Sequence, residues 1–179
     1  MGRWIMLDRK LYYVIAKILG EDFVTGYTEK FSTRIIVQKM LYLLTHGVRS
    51  PRVSLPYSWS FYLRGPYSPE IAHALYYVNE VFDEIPKEQV QLSTEETAAV
   101  SHLSQTLKLI EDQRKKRGIS NSENVFEAAA TLVYFGERKQ FDKELLIQKL
   151  KAFKPNIYKL LRTDFLSELV TVLNENGYC

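Results

Sequence analysis

The sequence has few of the residues that carry most recognisable chemistry. It contains one cysteine, Cys179, so no disulfide can form within the chain, and such sparse use is typical of a reducing compartment. The eight glycines are scattered singly, which excludes the glycine-rich loops that cradle nucleotide phosphates. No apolar run reaches the ~18 residues of a membrane-spanning helix. We therefore expect a cytoplasmic protein that does not cross a membrane.

The spacing of histidine, carboxylate and serine residues predicts no catalytic or metal site. His46, His73 and His102 lie far apart, and no HExxH or CxxC pattern accompanies them. Acidic residues occur as adjacent pairs, and neighbours in a helix do not face each other. A GxSxG nucleophile motif is also missing. We expect no metal, no cofactor and no enzymatic activity.

The charge is uneven along the chain. Residues 1–52 carry nine Lys/Arg against four Asp/Glu, a net charge of +5, whereas residues 53–135 carry seven against eleven, a net charge of −4. A basic N-terminal third can orient a polyanion or an acidic partner. It can also be neutralised by the acidic middle within the fold, and both interpretations stay open.

Hydrophobic periodicity predicts a mainly α protein with about seven helices, at 4–19, 31–47, 69–84, 94–116, 120–136, 142–153 and 156–175. The helix at 31–47 is apolar around most of its circumference, which places it at the centre of the core. The only linker-like stretch is GISNS at 118–122, and apolar faces flank it. We expect a single domain over 1–179, with a helix/strand front half (1–117) and a helical back half (118–179), built on one core.

The stretch YSWSFYL at 57–63 alternates aromatic and polar residues, which predicts a half-buried strand. A second alternation, EQVQL at 88–92, is its expected antiparallel partner, with helix 69–84 between the two. This order would give a winged-helix-like front half, with 69–84 as the recognition helix. The first two turns of that helix, however, carry no Arg, Lys, Asn or Gln for base edges.

The following segment, RGPYSP at 64–69, contains strong turn and capping signals. Gly65-Pro66 predicts the turn, Ser68 an N-cap and Pro69 the first helical residue. A phosphate cradle is not expected, because each proline removes a backbone N–H. Arg64 and Tyr67 have no such local explanation.

The segments RIIVQKMLYLL (34–44) and SFYLRGPYSPEIAHALYYV (60–78) together resemble the YwgA-type proteins of bacteria and archaea. They are more distantly similar to the Panacea (SocA-like) antitoxin domains. The resemblance extends over about 31–175, and its informative residues are Gln38, Lys39, Leu41, Tyr42, Tyr62, Gly65, Pro66, Tyr67, Ser68 and Pro69. The similarity to Panacea domains implies a role in neutralising toxins or phage products, or as an adaptor for proteolysis, through protein contacts.

Two functional hypotheses follow. The first is a non-enzymatic protein–protein interaction module, antitoxin- or adaptor-like, whose partner-binding surface comprises Arg64, Tyr67, Tyr62 and Lys39; arginine and tyrosine are good interface anchors. The alternative is a nucleic-acid-binding regulatory or defence protein. Its phosphate-contacting residues would be Arg34, Arg49, Arg52, Arg114, Lys115, Lys116 and Arg117.

Overall fold

The computed structural model describes residues 2–80, 90–138 and 142–179. These residues form helices and a two-stranded antiparallel sheet, which confirms the mainly α class with a small β element. The elements are α1 (Gly2–Leu19), α2 (Asp22–Thr25), α3 (Phe31–Thr45), β1 (Ser60–Tyr62), β2 (Gly65–Tyr67), α4 (Pro69–Glu80), α5 (Thr94–Lys116), α6 (Ser122–Arg138), α7 (Lys143–Phe153), α8 (Pro155–Leu161) and α9 (Thr163–Glu175).

The centre of the fold is α3, as its all-round apolar pattern predicted. Every residue from Ile35 to Leu44 is buried, and the helix packs most extensively against α6. The α6 helix is also buried over most of its length. Apolar side chains from both halves of the chain form one continuous cluster around these two helices.

The helix at 94–116 has the predicted bounds and the predicted cap. Ser93 Oγ accepts from the Glu96 N–H (3.2 Å), and the Glu96 carboxylate accepts from the Ser93 N–H (3.1 Å). This reciprocal pair is a capping box, which satisfies two backbone donors at the helix start.

The predicted helix at 156–175 is in fact two helices. The chain breaks at Arg162, whose φ of 63° and ψ of 148° lie outside the helical range. A positive φ is rare for a residue with a side chain, and neither glycine nor proline marks the break in the sequence. The short α2 was not predicted either.

The prediction of a strand partner at 88–92 is wrong for the described part of that segment. Residues 90–92 form no strand, and residues 88 and 89 lie outside the described range. Instead β1 pairs with β2, in the register Ser60↔Tyr67, Phe61↔Pro66 and Tyr62↔Gly65. A local hairpin closes a much shorter loop than pairing across an intervening helix, and therefore costs less chain entropy.

The turn of this hairpin lies two residues earlier than predicted. Leu63 and Arg64 form it, and Gly65 follows with a φ of 81°. A left-handed glycine at this position is typical of hairpins with a bulged loop. Leu63, expected on the half-buried face, is consequently 91% exposed.

Among the described residues, the winged-helix-like arrangement is therefore not found either. Both strands precede α4 in the chain, so this helix does not lie between paired strands. The predicted start of α4 is confirmed, because Pro69 is its first residue and Ser68 Oγ accepts from the Ile71 N–H (3.3 Å). Residues 81–84 of the predicted helix lie outside the described residues.

Candidate functional site

Two polar residues within the buried stretch of α3 bind the backbone of β2 and of Ser68, which joins β2 to α4. Gln38 Nε2 donates to the Ser68 carbonyl (3.1 Å), and Gln38 Oε1 accepts from the Ser68 N–H (3.1 Å). Lys39 Nζ donates to the Pro66 carbonyl (2.6 Å). Buried polar groups need such partners, so these bonds fix residues 65–68 against α3.

The opposite side of β2 contacts α6. A Cβ on Gly65 would lie 2.8 Å from Thr131 Oγ1, closer than carbon and oxygen atoms normally approach. Gly65 also has the positive φ described above. Only glycine meets both requirements, so the hairpin end is held tightly between α3 and α6.

A buried charge cluster lies beneath the hairpin. The Glu127 carboxylate of α6 pairs with Lys154 Nζ (2.8 Å) and with Arg64 Nη1 (3.4 Å). Lys154 Nζ also donates to the Leu63 carbonyl. Glu127 and Lys154 are almost fully buried, so each compensates a charge that would otherwise be costly to bury.

Lys39 lies beside this cluster without a carboxylate at ion-pair distance among the described side chains. Burial lowers the pKa of Lys39 to about 7; Glu127 acts in the opposite direction, while Lys154 and Arg64 lower the pKa further. Its amine is therefore about half protonated near neutral pH.

An open groove of about 540 Å³ lies above Lys39, between α3, the hairpin and α4. Aromatic rings, aliphatic side chains and three cationic residues line it. The lining residues are Tyr27, Phe31, Arg34, Ile35, Gln38, Lys39, Tyr62, Leu63, Arg64, Gly65, Tyr67, Ala72 and Tyr76. We call this the aromatic–arginine groove, and no Asp or Glu of the described chain lines it.

The two arginines of the groove flank one aromatic ring. The guanidinium carbons of Arg34 and Arg64 lie 5.6 Å and 5.4 Å from the centre of the Phe31 ring. Cations are attracted to ring faces at this range. Arg34 also donates to the Tyr76 hydroxyl (2.9 Å), and none of the described carboxylates pairs with it. The positive charge at Arg34 is thus open to a ligand.

Four tyrosines supply the rest of the aromatic wall. Tyr62 and Tyr67 meet edge to face with ring centres 5.5 Å apart, and Tyr27 and Tyr76 do so at 5.8 Å. Burial raises the pKa of Tyr27 to about 12 and, with the neighbouring tyrosines, raises that of Tyr67. Their hydroxyls stay neutral at physiological pH and are able to donate hydrogen bonds.

The structure brings together all four residues of the predicted partner-binding surface. Arg64, Tyr67, Tyr62 and Lys39 line the groove, with Lys39 at its floor. Arg34, assigned by the sequence to nucleic-acid contact, lies in the same groove.

The other predicted phosphate contacts lie elsewhere. Arg49 and Arg52 are exposed in the loop after α3, where the Arg49 N–H donates to the Gly177 carbonyl (2.7 Å). Lys116 is exposed at the end of α5. None of these three lines the groove.

The remaining basic residues of the 114–117 run are paired with carboxylates. Arg114 and Lys115 both contact Glu111, and Arg114 also donates to the Ser120 carbonyl (3.1 Å) in the loop after α5. Arg117 pairs with two carboxylates of α9, Asp164 and Glu168. Most of the charge in this run is thus neutralised within the fold.

Sequence reasoning missed several residues of the site. Tyr27, Phe31 and Tyr76 belong to different elements, and no local pattern relates them. Glu127 did leave a signal, because it is a lone acidic residue within an apolar helical run. A charge at a buried helical position requires a partner from another element, here Lys154.

The described residues contain no group of three His, Cys, Asp or Glu side chains that could hold a metal ion. Within the same residues, none of the helices combines the length and the apolar character needed to cross a bilayer. Comparison with protein-family models, curated proteins and solved structures yields no match.

Proposed function

We propose that this protein is a cytoplasmic, non-enzymatic interaction module that binds an acidic segment of a partner protein in the aromatic–arginine groove. The main supporting observation is the lining of the groove. It holds Arg34, Arg64 and Lys39, and none of the described carboxylates lines it. A surface of one sign favours a partner of the opposite sign and accelerates encounter.

The aromatic walls supply the apolar part of such an interface. Phe31, Tyr62 and Tyr76 are 57%, 52% and 42% exposed although they are large rings. Exposed rings next to arginine are the residues that most often dominate binding energy at protein interfaces. The combination suits a partner segment with acidic and apolar residues side by side.

Contacts within the fold also hold the groove in shape without a partner. The Gln38–Ser68 and Lys39–Pro66 bonds hold one wall, and the tight contact of Gly65 with Thr131 holds its far side. A preformed site loses less conformational entropy on binding.

The sequence resemblance supports the same site. Of its informative residues, Gln38, Lys39, Tyr62, Gly65 and Tyr67 line the groove. An antitoxin-like or adaptor-like role, as the similarity to Panacea domains implies, therefore remains part of the proposal.

Nucleic-acid binding is the competing function, and the charge distribution favours it less. Arg114, Lys115 and Arg117 pair with carboxylates of this chain, so a phosphate would have to displace them. Gel-shift titration with DNA and RNA over a range of salt concentrations separates the functions. Binding that falls steeply with salt would support the nucleic-acid function instead.

The test of the proposal is affinity purification from native cells with three proteins: wild type, Arg34→Glu and the control Arg52→Glu. Both substitutions reverse one exposed or half-exposed arginine, but only Arg34 lines the groove. We expect the same partner with wild type and Arg52→Glu, and a loss of at least about tenfold with Arg34→Glu. The interaction is then measured with purified components.

Two outcomes would contradict the proposal. One is equal recovery of every purified partner by Arg34→Glu and wild type, with circular dichroism showing that the variant is folded. The other is loss of the partner with Arg52→Glu but not with Arg34→Glu, which would assign the binding surface to the loop after α3.

A further inference from the structure

We infer that the floor of the groove is a carboxylate-binding subsite, in which the ammonium group of Lys39 pairs with a carboxylate that the occupant inserts between the aromatic walls. The inference rests on the proposed function, because it names the chemical group by which the partner is held.

The position of Lys39 is the first observation. The residue is only 2% exposed, yet it lines the groove. An ammonium group has three N–H donors, and the described residues accept one of them, at the Pro66 carbonyl. A buried lysine with unused donors at the bottom of an open groove is suited to bind an anionic acceptor.

The charged residues around Lys39 indicate how much negative charge a ligand must supply at the floor of the groove. Glu127 of α6 pairs with Lys154, at the α7–α8 junction, and with Arg64 of the hairpin. It forms no ion pair with Lys39, whose remaining charged neighbours, Lys154 and Arg64, repel it. One carboxylate supplies one negative charge and two acceptor oxygens, which neutralises protonated Lys39 without a surplus.

The lining of the groove indicates which chemical group is attached to the carboxylate. The groove volume of about 540 Å³ is in the range of sites that enclose small organic groups. Its lining is mostly aromatic and aliphatic, so the carboxylate is attached to an apolar or aromatic group. A C-terminal residue of a partner presents this combination, as does an acidic side chain beside an apolar one.

Binding at this subsite is coupled to protonation. With a pKa of about 7, Lys39 is mostly neutral at pH 8.5 in the free protein, and a carboxylate beside it favours the charged form. Formation of the complex is therefore accompanied by proton uptake above pH 7 and by little proton uptake below pH 6. Affinity for a fully ionised carboxylate falls as the pH rises above 7, by up to about tenfold per unit.

The experiment uses the whole protein and small probes. N-acetyl-L-phenylalanine offers a terminal carboxylate on an aromatic residue, and its α-amide is the matched neutral control. N-acetyl-L-glutamic acid α-amide offers a side-chain carboxylate, so the relative affinity of the two acids identifies the source of the group. Isothermal titration calorimetry at pH 6, 7 and 8.5, in buffers of different ionisation enthalpy, gives affinity and proton uptake.

We expect at least one acid to bind about tenfold or more tightly than the neutral amide, with uptake approaching one proton at pH 8.5. Lys39→Met abolishes the preference for the acid, whereas Lys159→Met, which removes an exposed lysine of α8, leaves it unchanged. If Lys39→Met does not fold, proton uptake by the wild type at pH 8.5 is sufficient to test the subsite.

Three results would overturn the subsite. These are equal affinity for acid and amide, no proton uptake at pH 8.5, and no binding of either acid up to about 10 mM. The two proposals fail separately. A partner lost with Arg34→Glu but not displaced by the acids leaves the proposed function intact and removes the subsite. If the acids bind but no protein partner depends on Arg34, the subsite stands and the proposed function fails.

Discussion

Gln38 binds both backbone groups of Ser68, donating to its carbonyl and accepting from its N–H, each at 3.1 Å. A glutamine side chain thereby pairs with the N–H and the carbonyl of one residue, as the opposite residue of a neighbouring strand would, although it belongs to the central helix. The same amide donates to the Tyr27 hydroxyl (3.2 Å), so one residue links the central helix, the α2–α3 loop and the start of α4.

Replacing Gln38 with alanine leaves the Ser68 N–H buried without its partner, while the Ser68 carbonyl still accepts from the Ala72 N–H (3.1 Å). We expect the free energy of unfolding to fall by about 1–3 kcal/mol, the usual cost of one unsatisfied buried group. Urea denaturation followed by circular dichroism measures the change. The control Gln105→Ala removes an exposed glutamine of α5 and should change stability by less than about 0.5 kcal/mol. Equal effects of the two substitutions would show that the Ser68 contact contributes nothing.

Gly65→Ala meets two obstacles, a positive φ and contact with Thr131. Gly118→Ala is the matched control, because Gly118 also has a positive φ (66°) but faces open space. We expect Gly118→Ala to cost about 1 kcal/mol and Gly65→Ala at least about 1 kcal/mol more. Thermal and urea unfolding provide both values.

A double variant isolates the steric part of that cost. Thr131→Ala removes the hydroxyl that a Cβ at position 65 would approach, so Gly65→Ala should be less destabilising in the Thr131→Ala background. Strictly additive effects of the two substitutions would mean that backbone conformation alone explains the glycine.

Glu127 is the counter-ion of the buried cluster, and its loss leaves Lys154 buried and uncompensated. We expect Glu127→Gln to reduce the free energy of unfolding by about 3–5 kcal/mol, the usual cost of breaking a buried ion pair from one side. Glu144→Gln, at an exposed position of α7, is the control and should be nearly neutral. Adding Lys154→Met to Glu127→Gln should recover part of the loss. A double variant that is no more stable than Glu127→Gln alone would contradict the pairing of Glu127 with Lys154.

The low pKa of Lys39 makes stability depend on pH. The folded state releases the Lys39 proton near pH 7, whereas the unfolded chain keeps it up to about pH 10.5. Between these values the unfolded state binds more protons, so the contribution of Lys39 to stability rises with pH and is smallest below pH 7. We expect the stability of wild type relative to Lys39→Met to increase from pH 7 to pH 9, by at most about 1.4 kcal/mol per unit. A difference that is flat over this range would mean that Lys39 titrates normally.

Much of the local structure followed from short-range patterns. The capping box at Ser93 and Glu96, the helix start at Ser68-Pro69 and the all-round apolar character of α3 were each predicted from neighbouring residues. The break at Arg162 was not, because neither glycine nor proline marks the positive φ that this residue adopts.

The candidate site was predictable only in part. The tyrosines and the arginine beside Gly65-Pro66 were identified because this dipeptide is a local turn signal with a restricted backbone. The strand partner was assigned wrongly, since two alternating segments satisfy the same pattern and only the positive φ of Gly65 permits the local hairpin.

By itself, the sequence determined the mainly α class, the central helix and the RGPYSP corner, because helical periodicity, capping and proline act over a few residues. Only the tertiary structure decided that Lys39 lies at the floor of a groove. It also decided that Glu127 forms ion pairs with Lys154 and Arg64 but not with Lys39. These are relations between residues 27 to 115 positions apart in the chain, and the pKa of Lys39 depends on burial that no local pattern encodes.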